Sequence, residues 1–372
     1  MPPAPLSSAD AWRAKARAFV EAEIDPRAAD IASTWEIPTE IPRELARLGF
    51  MGLGLPVEWD GQGGGTREVA AVLDELARAN ASIATLLAVH LSVCAQPIAE
   101  WGTIAQKEAF LRPLCRGEAL GAFGLTEPGV GSDAAHLTCR YARDDHGFVL
   151  DGSKMFITNG GRADTLVVFA TRDPELGHRG ISAFLVSKGT PGFSHAQKLD
   201  KLGLRESETM ELVFHDVHLP ADHLLGEEGK GLQVALSALA GGRVGIAACA
   251  LGVARGALDE MRRLARSRPT DGRRIAVARA FTEVAAAGAL VERAATRRDA
   301  GLPFAEEASA AKLAASQAAV RVAGACVDVA GEAGCLETSV AGRRWRDARV
   351  FPIVEGTTEI QEFLLGRTLV GG

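Results

Sequence analysis

The spacing of apolar positions divides the chain into three parts. In residues 9–117 apolar and charged residues recur at helical spacing, which predicts helices over 11–29, from Ile41 onward, and over 66–78, 82–102 and 103–116. Thr103 followed by Gln106 is a capping-box pattern at the start of the last of these helices. The glycine-rich segment 49–66 predicts a loop. Phosphate binding is not expected there, because no strand–loop–helix unit surrounds the segment.

In residues 119–220 the pattern changes to short apolar or alternating runs. Runs at 149–152, 166–170, 181–186 and 211–214 are separated by Gly, Asp and Pro, which predicts antiparallel strands joined by tight turns. After Pro220 helical spacing returns and predicts helices over 229–266, 270–301, 304–331 and 355–368. The predicted fold class is α+β, with an N-terminal α-helical domain (1–118), a middle antiparallel β domain (119–220) and a C-terminal helical bundle (221–372). Because strands and helices do not alternate, a Rossmann-type dehydrogenase is not expected.

Charge and hydropathy argue against two classes of partner. The chain of 372 residues has a net charge of -6 and a pI of about 5.8, so its overall field does not attract nucleic acid or an anionic membrane surface. Of its two long apolar stretches, 83–99 contains Pro97 and is short, while 235–258 contains Arg243 and Arg255. Both stretches predict buried core helices, and we expect no membrane insertion.

Cysteine usage predicts a reducing compartment. The six cysteines form no CxxC pair and most lie among apolar residues, which is typical of buried free thiols and not of disulfides or a zinc site. Residues 1–10 lack a basic segment followed by an apolar one, so no signal peptide and a cytoplasmic protein are expected. His215, His218 and His223 lie close in sequence but lack a compact Cys/His ligand pattern, so we expect a solvated turn and no metal site.

A carboxylate follows an apolar run near the C-terminus. Residues 350–354 are Val-Phe-Pro-Ile-Val, and Glu355 comes next, followed by Gly-Thr-Thr-Glu. A carboxylate held in a dry niche has a raised pKa and becomes a usable base near neutral pH. The alternative is a helix start, with Thr357 or Thr358 as N-cap and Glu359 in the first turn.

A second candidate segment lies where the helical part meets the β part. Residues 123–133 are Phe-Gly-Leu-Thr-Glu-Pro-Gly-Val-Gly-Ser-Asp. Gly129, Gly131 and Ser132 are small enough for backbone N–H groups to point at an anion such as a pyrophosphate, and Thr126 can bond a heteroaromatic ring. An ordinary Pro-Gly turn is the alternative interpretation.

Two more segments need an explanation. Residues 155–161, Met-Phe-Ile-Thr-Asn-Gly-Gly, place an aromatic and a hydroxyl on one face of a strand, where they can contact a cofactor; a hairpin turn at Asn159 is the alternative. Gly241 and Gly242 lie inside the predicted long helix, where each glycine costs about 1 kcal/mol relative to Ala. This indicates close packing against that helix, and the neighbouring Arg243 needs a partner.

Together these segments resemble the acyl-CoA dehydrogenase family along nearly the whole chain. The resemblance is carried, in the family's order and spacing, by residues 125–133, 156–160 (Phe-Ile-Thr-Asn-Gly), 241–243 (Gly-Gly-Arg), 346–348 (Arg-Asp-Ala) and 355–357 (Glu-Gly-Thr). It implies a C-terminal four-helix bundle, FAD between the last two domains, and a homotetramer or, alternatively, a dimer. It also implies an oxidoreductase of fatty acid metabolism that acts on an acyl-CoA or acyl-carrier-protein thioester and passes electrons to a flavoprotein.

The resemblance also assigns roles to single residues. Glu355 matches the catalytic base, which takes the proton next to the thioester carbonyl while a hydride leaves the next carbon for flavin N5. Some members carry the base on the long helix at the position of Gly242, which cannot serve, and this favours Glu355. The matching substrate contacts are Ser132, Gly241, Gly242, Arg243 and Gly356. The matching cofactor contacts are Phe123, Leu125, Thr126, Gly131, Ser132, Phe156, Ile157, Thr158, Arg268, Thr357 and Glu359.

The sequence departs from the family pattern where members contact the FAD of a neighbouring subunit. Arg268 is kept, but Asp271 replaces the usual aromatic residue and Arg279 stands where Gln is common. Residues 328–332, Asp-Val-Ala-Gly-Glu, replace the usual Gln-x-x-Gly-Gly. The added acids would repel a pyrophosphate unless Arg273 or Arg279 compensates, so we expect FAD to bind with weaker or rearranged contacts to its ADP half.

Three functions therefore compete. The first is a flavin-dependent acyl thioester dehydrogenase, which Glu355 favours. The second is an oxygen-using flavin oxidase or monooxygenase on the same scaffold. The third is a non-catalytic helical scaffold homologue with impaired FAD binding, which the altered segments at 268–279 and 328–332 motivate.

Overall fold

The N-terminal part of the chain is helical. The structure, a computed structural model, describes residues 8–371, so part of the segment used for the signal-peptide prediction lies outside the described residues. One-turn π segments at Val20–Ile24, His90–Ala95 and Lys107–Leu111 extend or join neighbouring helices. The Thr103–Gln106 capping box is confirmed, since each residue bonds the other's backbone N–H. The helices are α1 (Ser8–Phe19), α2 (Ala28–Thr34), α3 (Glu40–Arg47), α4 (Thr66–Ala79), α5 (Ala81–Val89), α6 (Gln96–Trp101), α7 (Ile104–Gln106) and α8 (Arg112–Arg116).

The middle part is an eight-stranded sheet with the order β6-β7-β3-β2-β4-β5-β8, in which β1 also pairs with β4. Most pairs are antiparallel as predicted, but β1 and β2 each run parallel to β4. The run at 166–170 is continuously apolar because β4 is buried on both faces, with alternate residues in two separate cores. The strands are β1 (Gly121–Gly124), β2 (Arg140–Arg143), β3 (Gly147–Thr158), β4 (Thr165–Thr171), β5 (Ile181–Ser187), β6 (Phe193–Lys198), β7 (Thr209–Pro220) and β8 (Leu224–Leu225).

The C-terminal part contains three long helices and two shorter ones. They are α9 (Gly231–Ser267), α10 (Asp271–Asp299), α11 (Ala305–Ala330), α12 (Val340–Ala348) and α13 (Thr358–Val370). Helices α9, α10 and α11 pack on one another, and α13 packs on α11, which agrees with the predicted bundle. Helix α4 of the N-terminal part also packs along α9, so the two helical parts share one hydrophobic core.

In the part of the chain that the structure describes, three helices are long and apolar enough to cross a membrane by length and composition alone: Ala81–Trp101, Gly231–Ser267 and Ala305–Cys335. In the first two, 89% and 78% of the most apolar window is buried against the protein, compared with 44% in the third. The apolar surface of the first two helices therefore forms the core, as expected for residues 83–99 and 235–258.

The hairpin interpretation of Asn159 and Gly160 is wrong. The strands on either side, β3 and β4, do not pair with each other, because β3 pairs with β2 and β7 while β4 pairs with β1, β2 and β5. Asn159 has φ 65° and its buried amide donates to the backbone carbonyls of Leu86 (3.1 Å) and Gly121 (3.0 Å). This residue therefore docks the end of β3 onto α5 and β1.

Candidate active site

Glu355 lies in the tight loop between α12 and α13. Its φ is 52° and that of Gly356 is 100°, so two successive residues have positive φ. A left-handed conformation costs a non-glycine residue about 1–2 kcal/mol, and such strain is concentrated at functional sites. The loop is closed by a hydrogen bond from the N–H of Thr358 to the carbonyl of Pro352 (2.8 Å). Glu355 is thus held in place by the loop and not by a helix or strand.

The helix-cap interpretation of the same segment is also confirmed. Thr357 is the N-cap of α13, and its Oγ1 accepts a hydrogen bond from the N–H of Ile360 (3.3 Å). Glu359 lies in the first turn with an exposed side chain. The loop that carries Glu355 and the helix start are therefore one structure, in which the cap fixes the residues that follow Glu355.

The carboxyl group of Glu355 points into the protein. The residue is half-buried, but its Oε2 is sealed from solvent and has no hydrogen-bond partner within residues 8–371. Burial raises the pKa of Glu355 to about 8, while the charges of Arg243 and Lys312 partly offset that effect. A carboxyl with such a pKa is part ionised at neutral pH and can accept a proton.

Gly242 makes room for this carboxyl. A methyl group on its Cα would overlap Oε2 of Glu355, so the carboxyl rests directly on the backbone of α9. This observation explains why a helix-breaking residue stands inside α9. Gly241 is close to a different group, the guanidinium of Arg298, whose nearest atom would lie 2.6 Å from an added Cβ.

Arg243 is the nearest charged residue on α9. Its Nε is buried without a hydrogen-bond partner in the described part of the chain. Burial lowers the pKa of Arg243, and the charge of Glu355 opposes that shift. The partner expected for Arg243 is therefore Glu355, which acts through its charge and without a hydrogen bond to Nε.

A chamber of about 200 Å³ adjoins this part of α9. Apolar side chains such as Leu73 and Leu91 line it together with the polar side chains of Ser92, Gln96, Arg298 and Asp299, so its walls are mixed. Gly241 and Gly245 form the wall on the α9 side. The sequence did not reveal this chamber, since its residues come from five separate segments (53–55, 65–73, 88–96, 241–245 and 298–299) without a common motif.

The loop after β1 is tied to β3 by a buried ion pair. Lys154 Nζ donates to Oε1 of Glu127 (2.7 Å), and both side chains are buried. The same carboxylate accepts hydrogen bonds from the N–H groups of Thr138 (2.7 Å) and Cys139 (3.0 Å). The N–H of Met155 also donates to the carbonyl of Thr126 (2.8 Å). These bonds fix the first half of the loop. The sequence alone did not reveal this network, which only the lysine at position 154 in β3 could have indicated.

The second half of that loop is open to solvent. Gly131 and Ser132 are exposed, and a Cβ added at Gly129 or Gly131 would meet no atom within 4 Å. Phe123 and Leu125 lie below, one half-buried against Phe169 (ring centroids 5.0 Å apart) and the other buried. The loop therefore has a packed base and a free upper surface formed by small residues.

Phe156 is exposed in a strained conformation. It is 65% exposed with φ 61°, at a bulge in the pairing of β3 with β7. The next residue, Ile157, is buried in the core of the β sheet, and Thr158 is half-buried. Of these three predicted cofactor contacts, only Phe156 has an exposed side chain. Ile157 could contact a cofactor only through its backbone, because its side chain is buried.

The Arg-Asp-Ala motif docks the sheet onto the helices. Asp347 of α12 is buried and accepts a hydrogen bond from the N–H of Leu204 (2.7 Å), in the connection between β6 and β7. Burial and the nearby charge of Glu206 raise the pKa of Asp347 to about 6, against the effect of that hydrogen bond. This contact lies eight residues before Glu355 and fixes the position of the Glu355 loop relative to the β sheet.

Three family models match consecutive parts of the chain. They describe the N-terminal (residues 7–118), middle (122–217) and C-terminal (229–370) domains of acyl-CoA dehydrogenase. The chain belongs to the acyl-CoA dehydrogenase family. It is 41% identical over 362 residues to the short-chain-specific acyl-CoA dehydrogenase of Clostridium acetobutylicum, covering 95% of each chain. It is 40% identical over 365 residues to acryloyl-CoA reductase (NADH) of Anaerotignum propionicum, covering 95% of this chain and 92% of that one.

Solved structures agree with this assignment. Butyryl-CoA dehydrogenase from Megasphaera elsdenii matches with a TM-score of 0.95 and 39% identity, over 99% of this chain and 100% of that chain. A glutaryl-CoA dehydrogenase from Mycobacterium smegmatis, solved in complex with FADH2, matches with a TM-score of 0.92 and 30% identity, over 99% and 96% of the two chains. The fold predicted from the family resemblance is thereby confirmed.

The segments that depart from the family pattern form a separate surface at the far end of α9. Arg268 follows the last residue of α9, 26 residues beyond Gly242, which is about 39 Å along a helix. This distance exceeds the length of an extended FAD molecule. Within one chain, Arg268 and Glu355 therefore cannot contact the same FAD.

Charges on this far surface are paired locally. Asp271, with a side chain 89% exposed, is paired with Arg274 (2.8 Å), and Glu283 with Arg321 (2.7 Å). Arg273 donates to the backbone carbonyls of Arg268 (2.8 Å) and Val329 (3.1 Å). A surface depression is lined in part by Arg273, Arg279, Arg321, Glu283 and Asp328. Its cationic side chains outnumber the acidic ones among these residues.

The histidines near the end of the sheet make local contacts. His218 lies 3.0 Å from Asp144, His215 lies 3.6 Å from Asp151, and the ring of His223 bonds the carbonyl of Leu185 (2.7 Å). Within residues 8–371, no group of three or more His, Cys, Asp or Glu side chains is arranged to hold a metal ion.

Proposed function

We propose that this protein catalyses the FAD-dependent α,β-dehydrogenation of an acyl-CoA thioester, with Glu355 as the base that removes the α-proton. One observation carries the proposal: a buried carboxyl with an unbonded Oε2 and a pKa of about 8 rests against the glycine backbone of α9. A general base needs a pKa near the working pH and a free oxygen that can reach the proton. Glu355 meets both conditions.

The groups around Glu355 have complementary roles. The carboxyl itself is buried, and Phe351 before it is fully buried, which excludes water there and strengthens each electrostatic interaction in the site. Arg243 limits how far burial raises the pKa of Glu355, so that a useful fraction of the base is ionised. Gly242 brings backbone close to the carboxyl, and we expect the thioester to approach there; Gly356, next to Glu355, faces Gln361, whose Nε2 an added Cβ would overlap. The same carboxyl can return the proton in the reverse direction, the direction named for the acryloyl-CoA reductase relative.

The residues assigned to FAD fit that cofactor. The exposed ring of Phe156 offers a stacking surface that water otherwise covers at a cost in free energy. The open surface at Gly129 and Gly131 leaves room for a pyrophosphate beside backbone N–H groups. When bound, FAD supplies the acceptor for the hydride that leaves the β-carbon. Thr126, Ser132, Thr158, Thr357 and Glu359 are the polar side chains that we expect to orient it.

A short acyl group is the substrate class that fits best. The chamber beside Gly241 and Gly245 measures about 200 Å³, and its apolar side chains, among them Leu73 and Leu91, can contact a few methylene groups beside the polar side chains that also line it. Relatives named for short-chain acyl-CoA and butyryl-CoA support the same assignment. We propose CoA as the thiol carrier; an acyl-carrier-protein thioester is the alternative that a substrate panel distinguishes.

The proposed reaction implies an electron acceptor and a second copy of the chain as partners. A solved structure described as the electron transferring flavoprotein of Acidaminococcus fermentans matches this chain with a TM-score of 0.96 and 34% identity. This match supports a flavoprotein as the electron acceptor. The separation of about 39 Å along α9 supports a homo-oligomer, a tetramer by family resemblance, in which the far surface contacts the FAD of a second copy. Bacterial relatives of similar length support a cytoplasmic location.

Anaerobic spectroscopy tests the proposal. The purified protein is expected to be yellow with a two-banded flavin spectrum and to bleach under nitrogen when a four-carbon acyl-CoA is added. Eight- and sixteen-carbon acyl-CoA should bleach it more slowly. A colourless protein that binds no added FAD would instead support a scaffold, and rapid reoxidation by air without a flavoprotein would support an oxidase.

A further inference from the structure

Lys312 is a buried lysine that the family motifs do not explain. It lies on α11 in an alanine-rich segment and, like Lys154, has no exposed surface. Lys154 is bonded to the carboxylate of Glu127, whereas the Nζ of Lys312 donates to two backbone carbonyls. A buried ammonium without a bonded carboxylate is costly to maintain. The contrast with Lys154 suggests a role for Lys312 outside simple charge pairing.

The two carbonyls lie on either side of Glu355. Lys312 Nζ is 3.1 Å from the oxygen of Pro352 and 2.6 Å from that of Gly356. The Pro352 carbonyl also accepts from the N–H of Thr358, and the Gly356 carbonyl also accepts from Nε2 of Gln361 (3.2 Å). Lys312 therefore connects both ends of the loop across the residues with positive φ.

The ammonium also contributes charge to the site. Lys312 and Arg243 are the two cations that act on Glu355 against the effect of burial. Glu355, Arg243 and Glu359 in turn act on Lys312, and Cys249 of α9 lies within the field of Glu355. Loss of the Lys312 charge leaves Arg243 as the remaining cation, so the proton on Glu355 would be held more tightly.

We propose that Lys312 is a positioning residue for proton abstraction: its ammonium holds the carbonyls of Pro352 and Gly356 so that the Glu355 carboxyl stays against α9 at Gly242. This inference rests on the proposed function for the reaction, while the loop geometry that carries it is independent of any ligand.

Replacement of Lys312 by methionine, K312M, tests the role, because Met matches the length and fills the apolar surroundings without a donor. We expect anaerobic flavin reduction by acyl-CoA to slow by about tenfold or more, since small displacements of a catalytic group have effects of that size. The KM for acyl-CoA should change less than the rate, because Gly356 is the one assigned substrate contact that Lys312 bonds, while Ser132, Gly241 and Arg243 keep their contacts. The acidic limb of the pH–rate profile should move to higher pH, a shift that loss of packing alone would not produce.

Hydrogen exchange gives a readout that needs no substrate. Backbone amides in 352–358 should exchange faster in K312M than in wild type, since the loop loses two bonds. Ser316→Ala is the matched control: Ser316 is buried one turn further along α11 and bonds only the carbonyl of Leu313 in its own helix (3.2 Å). This control should leave rate, pH profile and loop exchange unchanged.

A folded K312M protein with wild-type rate, pH profile and loop exchange would overturn the inference. If K312M does not fold, Lys312→Gln decides the question, because it keeps an amide donor and removes the charge; its acidic limb must move to higher pH. If wild type is not bleached by any acyl-CoA, the proposed function fails, yet unchanged loop exchange in the variant would still refute the loop role separately.

Discussion

The two ends of α9 carry functional groups of opposite character. Near Gly242 the groups are buried, and they come from α9, α11 and the α12–α13 loop, each fixed by contacts with distant segments. Around Arg268 and Asp271 the charged groups are exposed and paired within one or two turns of helix or between adjacent helices. The first region is complete within one chain. The second is a surface, and we expect it to function against another copy.

This contrast changes how the unusual acids are interpreted. From sequence alone, Asp271 and Asp328 were expected to repel a pyrophosphate. In the structure Asp271 is offset by Arg274 and faces solvent, where salt and water screen it. Rearranged contacts are therefore favoured over simple repulsion, and the two ends of α9 should respond very differently to substitution.

Apart from replacement of Glu355 itself, the largest effect is expected from Gly242→Ala. The added methyl group would occupy the space of Oε2 of Glu355, so the carboxyl must move away from α9. A displacement of about 1 Å can cost about 10²-fold in rate, and we expect a loss of that order in anaerobic flavin reduction. Gly324→Ala on α11 is the control, since its added Cβ would lie 3.9 Å from the nearest atom, a ring carbon of Trp345. Equal rates in the two variants would show that the carboxyl does not depend on this space.

The pH dependence of reduction should follow Glu355. Its pKa is about 8 because of burial, and only the ionised form accepts a proton, so kcat/KM for acyl-CoA should rise with pH from 6 to about 8 and then level off. Stopped-flow reduction across this range measures the limb. A flat profile between pH 6 and 8 would contradict a buried base.

The same pKa predicts an effect on stability. The folded state holds a proton on Glu355 up to about pH 8, whereas an unfolded glutamate loses it near 4.5, so this residue's contribution to the free energy of unfolding declines as pH rises between those values. Glu355→Gln removes the decline. The Tm of the variant relative to wild type should therefore be higher at pH 8 than at pH 5, measured by thermal melts in one buffer series.

The smallest effect is expected at the other end of α9. Asp271→Asn should change FAD affinity by less than about threefold, because an exposed, paired carboxylate contributes little. Fluorescence titration of the apoprotein with FAD measures the affinity. A tenfold tighter complex in the variant would support repulsion by Asp271 and weaken the distinction between the two regions.

The sequence predicted most of what depends on local pattern. The helix and strand segments were predicted from the period of the apolar residues. Glu355 as the candidate base and Thr357 as the N-cap were predicted from the spacing of motif residues. Both kinds of prediction depend on residues that are neighbours in sequence. Lys312 and Lys154 escaped notice because their partners lie 40 or more and 27 residues away, in segments that only folding brings together. Asn159 was misinterpreted as a hairpin residue because its amide bonds distant carbonyls, which override the local turn preference.

Anaerobic reduction of Glu355→Gln tests most directly whether Glu355 is the base. Gln keeps the size of the side chain but cannot take a proton, so the variant should retain its flavin spectrum and its affinity for acyl-CoA while bleaching about 10³-fold more slowly. Retained colour with lost bleaching would separate the chemistry from cofactor binding. Bleaching at the wild-type rate would contradict the assignment of Glu355.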